Sequence, residues 1–263
     1  MIQYEVIPGT SQVYVVFDGS GIGRCKFWLP EGVVTPRGCA GVYPSGMKWL
    51  EHDSGLRQGA AGDQVFGPGN VKEVEPGVIE CCGVRSVKEA ALPWNSSFVF
   101  GDTRVDFSLS VHNPHDHTLS DACAVLCLKF MDAPWWDLES CFFKTEQGIM
   151  SIAQTKWIDG RFPSFQKWHV GPEAPYDNPV QNGIWTSNQV RATLPMWVVQ
   201  HSENGSSILF VCESAYYIHC NMSNPCNDIA LKFGDVQPGQ TVERHGYIEL
   251  AEGTPEALLT RSI

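Results

Sequence analysis

The spacing of the apolar residues constrains this chain most: they recur at every second position in short runs, and glycine, proline or asparagine closes each run. Residues 2 to 7, 12 to 17 and 24 to 29 are such runs, separated by PGTS and DGSGIG. A period of two puts alternate side chains on one face of a strand, and this punctuation joins strands into a meander. The alternation returns at 77 to 88 and at 97 to 111, where Val105, Phe107, Leu109 and Val111 share a face. After it, His112-Asn113-Pro114-His115-Asp116-His117 reads as the turn of a hairpin leading into a buried strand. Glu203-Asn204-Gly205 carries the Asn-Gly signal of a second hairpin. Helix is expected only at Thr254 to Ser262, with Thr254 as N-cap and Pro255 at the first helical position.

Two stretches, 31–76 and 131–190, lack clear periodicity and read as long loops. Loops of that length inside a compact domain are commonly lids or cleft walls. The first carries Arg37, Lys48, Trp49, His52 and Arg57; the second carries Trp135, Trp136, Trp157, Arg161, Trp168, His169 and Trp185. About fourteen to eighteen strands with almost no helix predict an all-β fold, a large antiparallel two-sheet sandwich. No repeat or linker divides it, so a single domain over 1–263 is expected.

Eighteen Lys and Arg against twenty-nine Asp and Glu give a net charge of −11, without a basic cluster. Nucleic acid is therefore not an expected partner, since phosphate binding needs a basic surface. No run of about 18 apolar residues predicts a membrane span, and the first residues lack a signal-peptide pattern, which points to the cytoplasm unless a secretion signal was trimmed. In that compartment the ten cysteines read as buried small hydrophobes. In a secreted protein, Cys220 and Cys226 would be candidates for a loop disulfide. Cys123 and Cys127 share a strand face with the apolar surroundings of a core. No GxSxG, GxxxxGK[ST] or GxGxxG pattern occurs, so nucleophile-elbow and nucleotide chemistry have no support.

The run from Ile208 to Cys220 reads as one long strand in which Glu213, Tyr217 and His219 share a face while Ile208, Phe210, Cys212 and Ile218 form the core side. A carboxylate, a phenol and an imidazole in one row could exchange protons with a bound molecule; the plainer alternative is an edge or solvent face with a hydrogen-bonded histidine. His169 is a candidate partner for His219 across a cleft. Arg191 is a candidate for holding a carboxylate, and Trp168, Trp185 and Trp136 for stacking on a ligand. The tryptophans could equally be core. No cofactor is expected. The spacing of His112, His115 and His117 leaves a metal site as an alternative, against a solvated turn.

The segment VHNPHDHTLSDACAVLCLKF resembles the strand, Asn-Pro-x-Asp turn and strand unit of galactose-mutarotase-like β-sandwiches. ALKFGDVQPGQTVERHGYIELAEGT is similar to the closing strands of an uncharacterised bacterial family of that architecture. The resemblance covers mainly residues 104–130 and 196–255. It implies a supersandwich whose concave sheet relatives use for carbohydrate binding, epimerisation, hydrolysis or uronate elimination. The expected function is a carbohydrate-active enzyme, epimerase/mutarotase-like or uronate-lyase-like, acting on a small carbohydrate by acid/base chemistry. A non-catalytic carbohydrate- or partner-binding module is the first alternative, and a cupin-like metal-dependent enzyme the second.

Overall fold

The computed structural model describes residues 2–7, 12–34, 70–87, 90–155, 165–171, 186–221 and 225–261. In chain order the strands are β1 (Ile2–Ile7), β2 (Gln12–Phe17), β3 (Gly23–Val34), β4 (Asn70–Glu75), β5 (Val78–Val87) and β6 (Ala90–Phe100). They continue with β7 (Arg104–His112), β8 (Leu119–Phe130), β9 (Cys141–Thr145), β10 (Gly148–Ser151), β11 (Phe165–His169) and β12 (Thr186–Ser187). The last are β13 (Met196–Gln200), β14 (Ser206–Cys212), β15 (Ala215–Asn221), β16 (Cys226–Val236) and β17 (Thr241–Glu252). One sheet has eight strands in the order β1-β2-β3-β8-β16-β15-β11-β12, and the other nine in the order β10-β9-β13-β14-β17-β7-β6-β5-β4. All neighbours are antiparallel except β11 and β12. The expected all-β two-sheet sandwich is the observed fold.

The sheets meet through the alternation read in the sequence. Val105, Phe107, Leu109 and Val111 from β7 are buried in the same core as Ala122, Ala124, Leu126 and Leu128 from β8 and Ile229, Leu231 and Phe233 from β16. Phe27 stands 5.8, 5.3 and 5.5 Å from Phe98, Phe107 and Phe210, so four rings from both sheets interlock within that core. In a second cluster, Trp168 lies 5.2 Å from Phe143 and 5.7 Å from Trp197. Interlocked rings of this kind bury large apolar area and fix the distance between the sheets.

Several expectations change. The run Ile208 to Cys220 is two strands in different sheets: β14 ends at Cys212, the chain crosses at Glu213-Ser214, and β15 begins at Ala215 with a register irregularity before Tyr217. The segment after β7 likewise crosses between sheets rather than forming a hairpin. Its turn is held by Asn113, whose Nδ2 donates to the carbonyls of His117 and Val236 at 2.8 and 2.9 Å. The hairpin at Asn204-Gly205 forms as expected, with β13 pairing β14 and Gly205 at φ +74°. The expected loop at 31–76 contains the end of β3 and all of β4 at its margins. The expected loop at 131–190 contains four strands, β9 to β12. Helix α1 is only Pro255–Leu258, with Thr254 Oγ1 accepting from the Ala257 amide at 3.3 Å.

Gly246 shows how tightly the nine-stranded sheet is packed. It sits in β17 between Phe107 of β7 and Cys212 of β14. A Cβ there would fall inside contact distance of the Phe107 ring and the Val211 carbonyl. The backbone oxygen cannot yield as a flexible side chain would, so Gly246→Ala is expected to cost about 1–3 kcal/mol, the usual range of overpacking. An unchanged denaturant midpoint would refute that expectation.

Candidate functional site

The register of the eight-stranded sheet assembles a lateral row of chemically able side chains. Gln12 of β2 pairs with Trp28 of β3, Trp28 with Cys127 of β8, Cys127 with Asp228 of β16, Asp228 with His219 of β15, and His219 with Lys167 of β11. Flanking residues such as Val13, Phe27, Leu126, Leu128, Ile229, Ile218 and Trp168 belong to the inter-sheet core. By period two the row therefore lies on the opposite, outer face. A neighbouring row holds Tyr217 opposite His169.

The contacts within these rows are close. His219 Nδ1 is 3.2 Å from Asp228 Oδ2. The Tyr217 ring lies 5.3 Å from that of His219 and 6.5 Å from that of His169, with Lys167 Nζ 5.4 Å from its centroid. Lys26 Nζ stands 4.7 Å over the Trp28 ring. All these groups are buried, including Lys167 at 1% and Asp228 at 2% exposure. Burying an ammonium, a carboxylate and imidazoles on one face costs free energy unless they compensate one another, and such concentrations mark candidate functional sites. The row is supported from beneath, because Trp197 Nε1 of β13 donates to the Asp228 carbonyl at 3.0 Å.

Of the residues expected from the sequence, His219, Tyr217 and His169 come together here. Glu213 does not: it lies in the crossover, exposed, with Oε1 3.3 Å from Arg244 Nε. Trp168 faces the core instead of a cleft. Trp136 packs against that core and donates from Nε1 to Asn227 Oδ1 at 3.0 Å, on the inner side of β16. Arg191 Nη1 donates to the Gly171 carbonyl at 2.8 Å, so a backbone oxygen engages the end of the fork meant for a carboxylate. Trp185 lies outside the described residues, as do Arg37, Lys48, Trp49, His52, Arg57, Trp157 and Arg161.

The three turn histidines face different partners. His112 Nδ1 is 3.1 Å from Thr241 Oγ1, and His117 Nδ1 is 3.2 Å from Asp116 Oδ1, while the His115 and His117 rings stack at 5.3 Å. Among the described residues, the one group of three ligating side chains that converges is Cys127, Cys226 and Asp228. Cys220 and Cys226 are placed back to back: Cys220 is in the inter-sheet core and Cys226 packs beside Trp28 on the outer face. A disulfide between them does not fit this arrangement. Burial pushes the Cys141 thiol up to about 12 and the Cys220 thiol well above the ordinary thiol range, which keeps both protonated and unreactive at neutral pH.

Lys167, Asp228, Trp28, Cys127 and Cys226 escape the sequence reading of the site. Lys167 lies two residues before His169 in FQKWH, so a period-two reading of that pentapeptide puts it on the same face as that candidate. Asp228 is the lone carboxylate in the first half of the apolar strand CNDIALKF, an exception that would have marked it.

A galactose mutarotase-like protein from Lactobacillus casei superposes with a TM-score of 0.50 at 7% identity, covering 95% of this chain and 97% of its own. The fold is the galactose-mutarotase-like supersandwich. Two further solved structures resemble this supersandwich more loosely. A galactose mutarotase related enzyme from Lactobacillus acidophilus has a TM-score of 0.48 at 10% identity, over 97% of this chain and 99% of that one. An aldose epimerase homologue from C. elegans has a TM-score of 0.46 at 8% identity, over 97% and 100%. No family model matches the sequence, and no curated protein matches it. No helix among the described residues of the supersandwich is long and apolar enough to cross a membrane.

Proposed function

We propose that the protein is a carbohydrate-active enzyme that moves protons on a small sugar at the outer face of the eight-stranded sheet, in the manner of an aldose epimerase or a uronate lyase. The observation that carries this reading is the pairing of His219 with Asp228 beside Tyr217, His169 and Lys167. With Nδ1 turned to the carboxylate, the imidazole is fixed in orientation and its Nε2 is the nitrogen that exchanges the substrate's proton. Tyr217 is the complementary acid or base. Lys167 supplies positive charge for an oxyanion or a carboxylate in a water-poor setting, where such interactions are strong. Both reaction types need these parts. The chain acts in this reading as one domain of 1–263, in the cytoplasm.

Incubation with a panel of aldoses and uronates, followed by NMR of the anomeric and unsaturated protons, tests the proposal. Conversion faster than the spontaneous rate is expected, with Tyr217→Phe slower by roughly tenfold or more, since the ring stays and the proton is lost. The non-catalytic module draws on a separate observation, the complete burial of His219 and Tyr217. Saturable binding of a sugar without conversion would favour it.

A further inference from the structure

Cys127 and Cys226 lie on the outer face of the eight-stranded sheet with their Sγ atoms 3.2 Å apart. Together with a carboxylate oxygen of Asp228 they offer three ligand atoms, all within 4.8 Å of one another, and all three side chains are buried. We propose that Cys127, Cys226 and Asp228 form a binding site for a thiophilic divalent cation, zinc being the one the ligand set suits best.

The strand register decides between a metal and a disulfide. Cys127 is paired with Asp228, and Cys226 with Lys129, so the two cysteines are diagonal neighbours rather than directly opposed. Diagonal positions in an antiparallel pair have Cα atoms about 7–8 Å apart. A disulfide takes Cα separations of about 4.4–6.8 Å. A metal held by two bonds of about 2.3 Å each spans the wider gap without moving the backbone.

The chemistry of the set agrees with the geometry. Two thiolates and a carboxylate are three of the four ligands of a tetrahedral zinc site, and sulfur selects against magnesium and calcium. Binding releases the two thiol protons and places three negative charges about a dication, leaving one in excess. His219 touches the carboxylate of Asp228 at 3.2 Å and serves as the outer partner that orients it. Trp28 forms one buried cluster with the two cysteines. Neither the strand register nor the ligand set depends on the carbohydrate reading.

Metal content and thiolate spectroscopy of the full chain test the site without any sugar. Reduced, metal-free protein titrated with cadmium should develop the ultraviolet thiolate-to-metal charge-transfer band, saturating at one equivalent, and zinc should displace it. Cys127→Ser and Cys226→Ser should each lose most of the band. Each should also weaken zinc binding by more than the roughly 10–100-fold that follows loss of an outer-shell partner. Asp228→Asn should keep the band and lose affinity. Should the serine variants fail to fold, the wild type decides: its Tm should rise with zinc and fall back with a chelator. A wild type without the band, an unchanged zinc affinity in Cys127→Ser, or a mass two hydrogens light from a Cys127–Cys226 bond would overturn the proposal. Absence of sugar turnover leaves it standing, since no readout involves a sugar.

Discussion

Alanine at His219 is expected to lower turnover of a true substrate by about 10²–10⁴ while leaving most of the ligand affinity in place, the usual loss on removing a general base. The ring is fully buried with Nδ1 3.2 Å from Asp228, so truncation also leaves a carboxylate facing a void. Stability and activity must therefore be read separately. His219→Gln, which preserves volume and a donor toward Asp228, should restore much of the melting temperature and little of the turnover. A glutamine variant that regained activity within a few-fold of wild type would assign His219 to packing alone.

Trp168→Ala is expected to cost about 3–5 kcal/mol in unfolding free energy, the range for removing a buried Trp or Phe side chain. Trp168 packs on Phe143 and Trp197 in the layer between the sheets, and the alanine variant would leave a void that strands on both sides cannot collapse to fill. A ligand-stacking tryptophan in a cleft would show the opposite pattern, with weaker binding and a nearly unchanged denaturant midpoint. Chemical denaturation of the variant separates the two directly.

The difference between these residues explains how much the sequence discloses. Period two is a local property, and it correctly places the four apolar residues of β7 and the strand character of β1, β2 and β5. What the period does not contain is which strands are neighbours. Trp168 sits in a sequence dense in proline, asparagine and glycine, which leaves a cleft and the core equally open to it. Its burial follows from pairing of β11 with β15, fifty residues away in the chain. The same blindness continues the strand through Glu213. No glycine or proline marks the crossover, so alternation runs on paper across a point where the chain changes sheets. His219 and Tyr217 are legible as a pair because they share one strand, whereas their approach to Asp228, Lys167 and His169 comes only through register.

The lateral row across β2, β3, β8, β16, β15 and β11 makes the candidate site a statement about phase. Each of the six strands contributes one side chain, and Val13, Phe27, Leu126, Leu128, Ile229, Ile218 and Trp168 beside them belong to the core. Slipping β16 by a single position would present Asn227 or Ile229 to His219 and drive the carboxylate into the layer between the sheets. Turns can therefore lengthen or shorten without touching the row, while an insertion of one residue inside a strand would erase it. The chemistry is specified by the synchrony of six distant segments, and no contiguous stretch of the chain carries it.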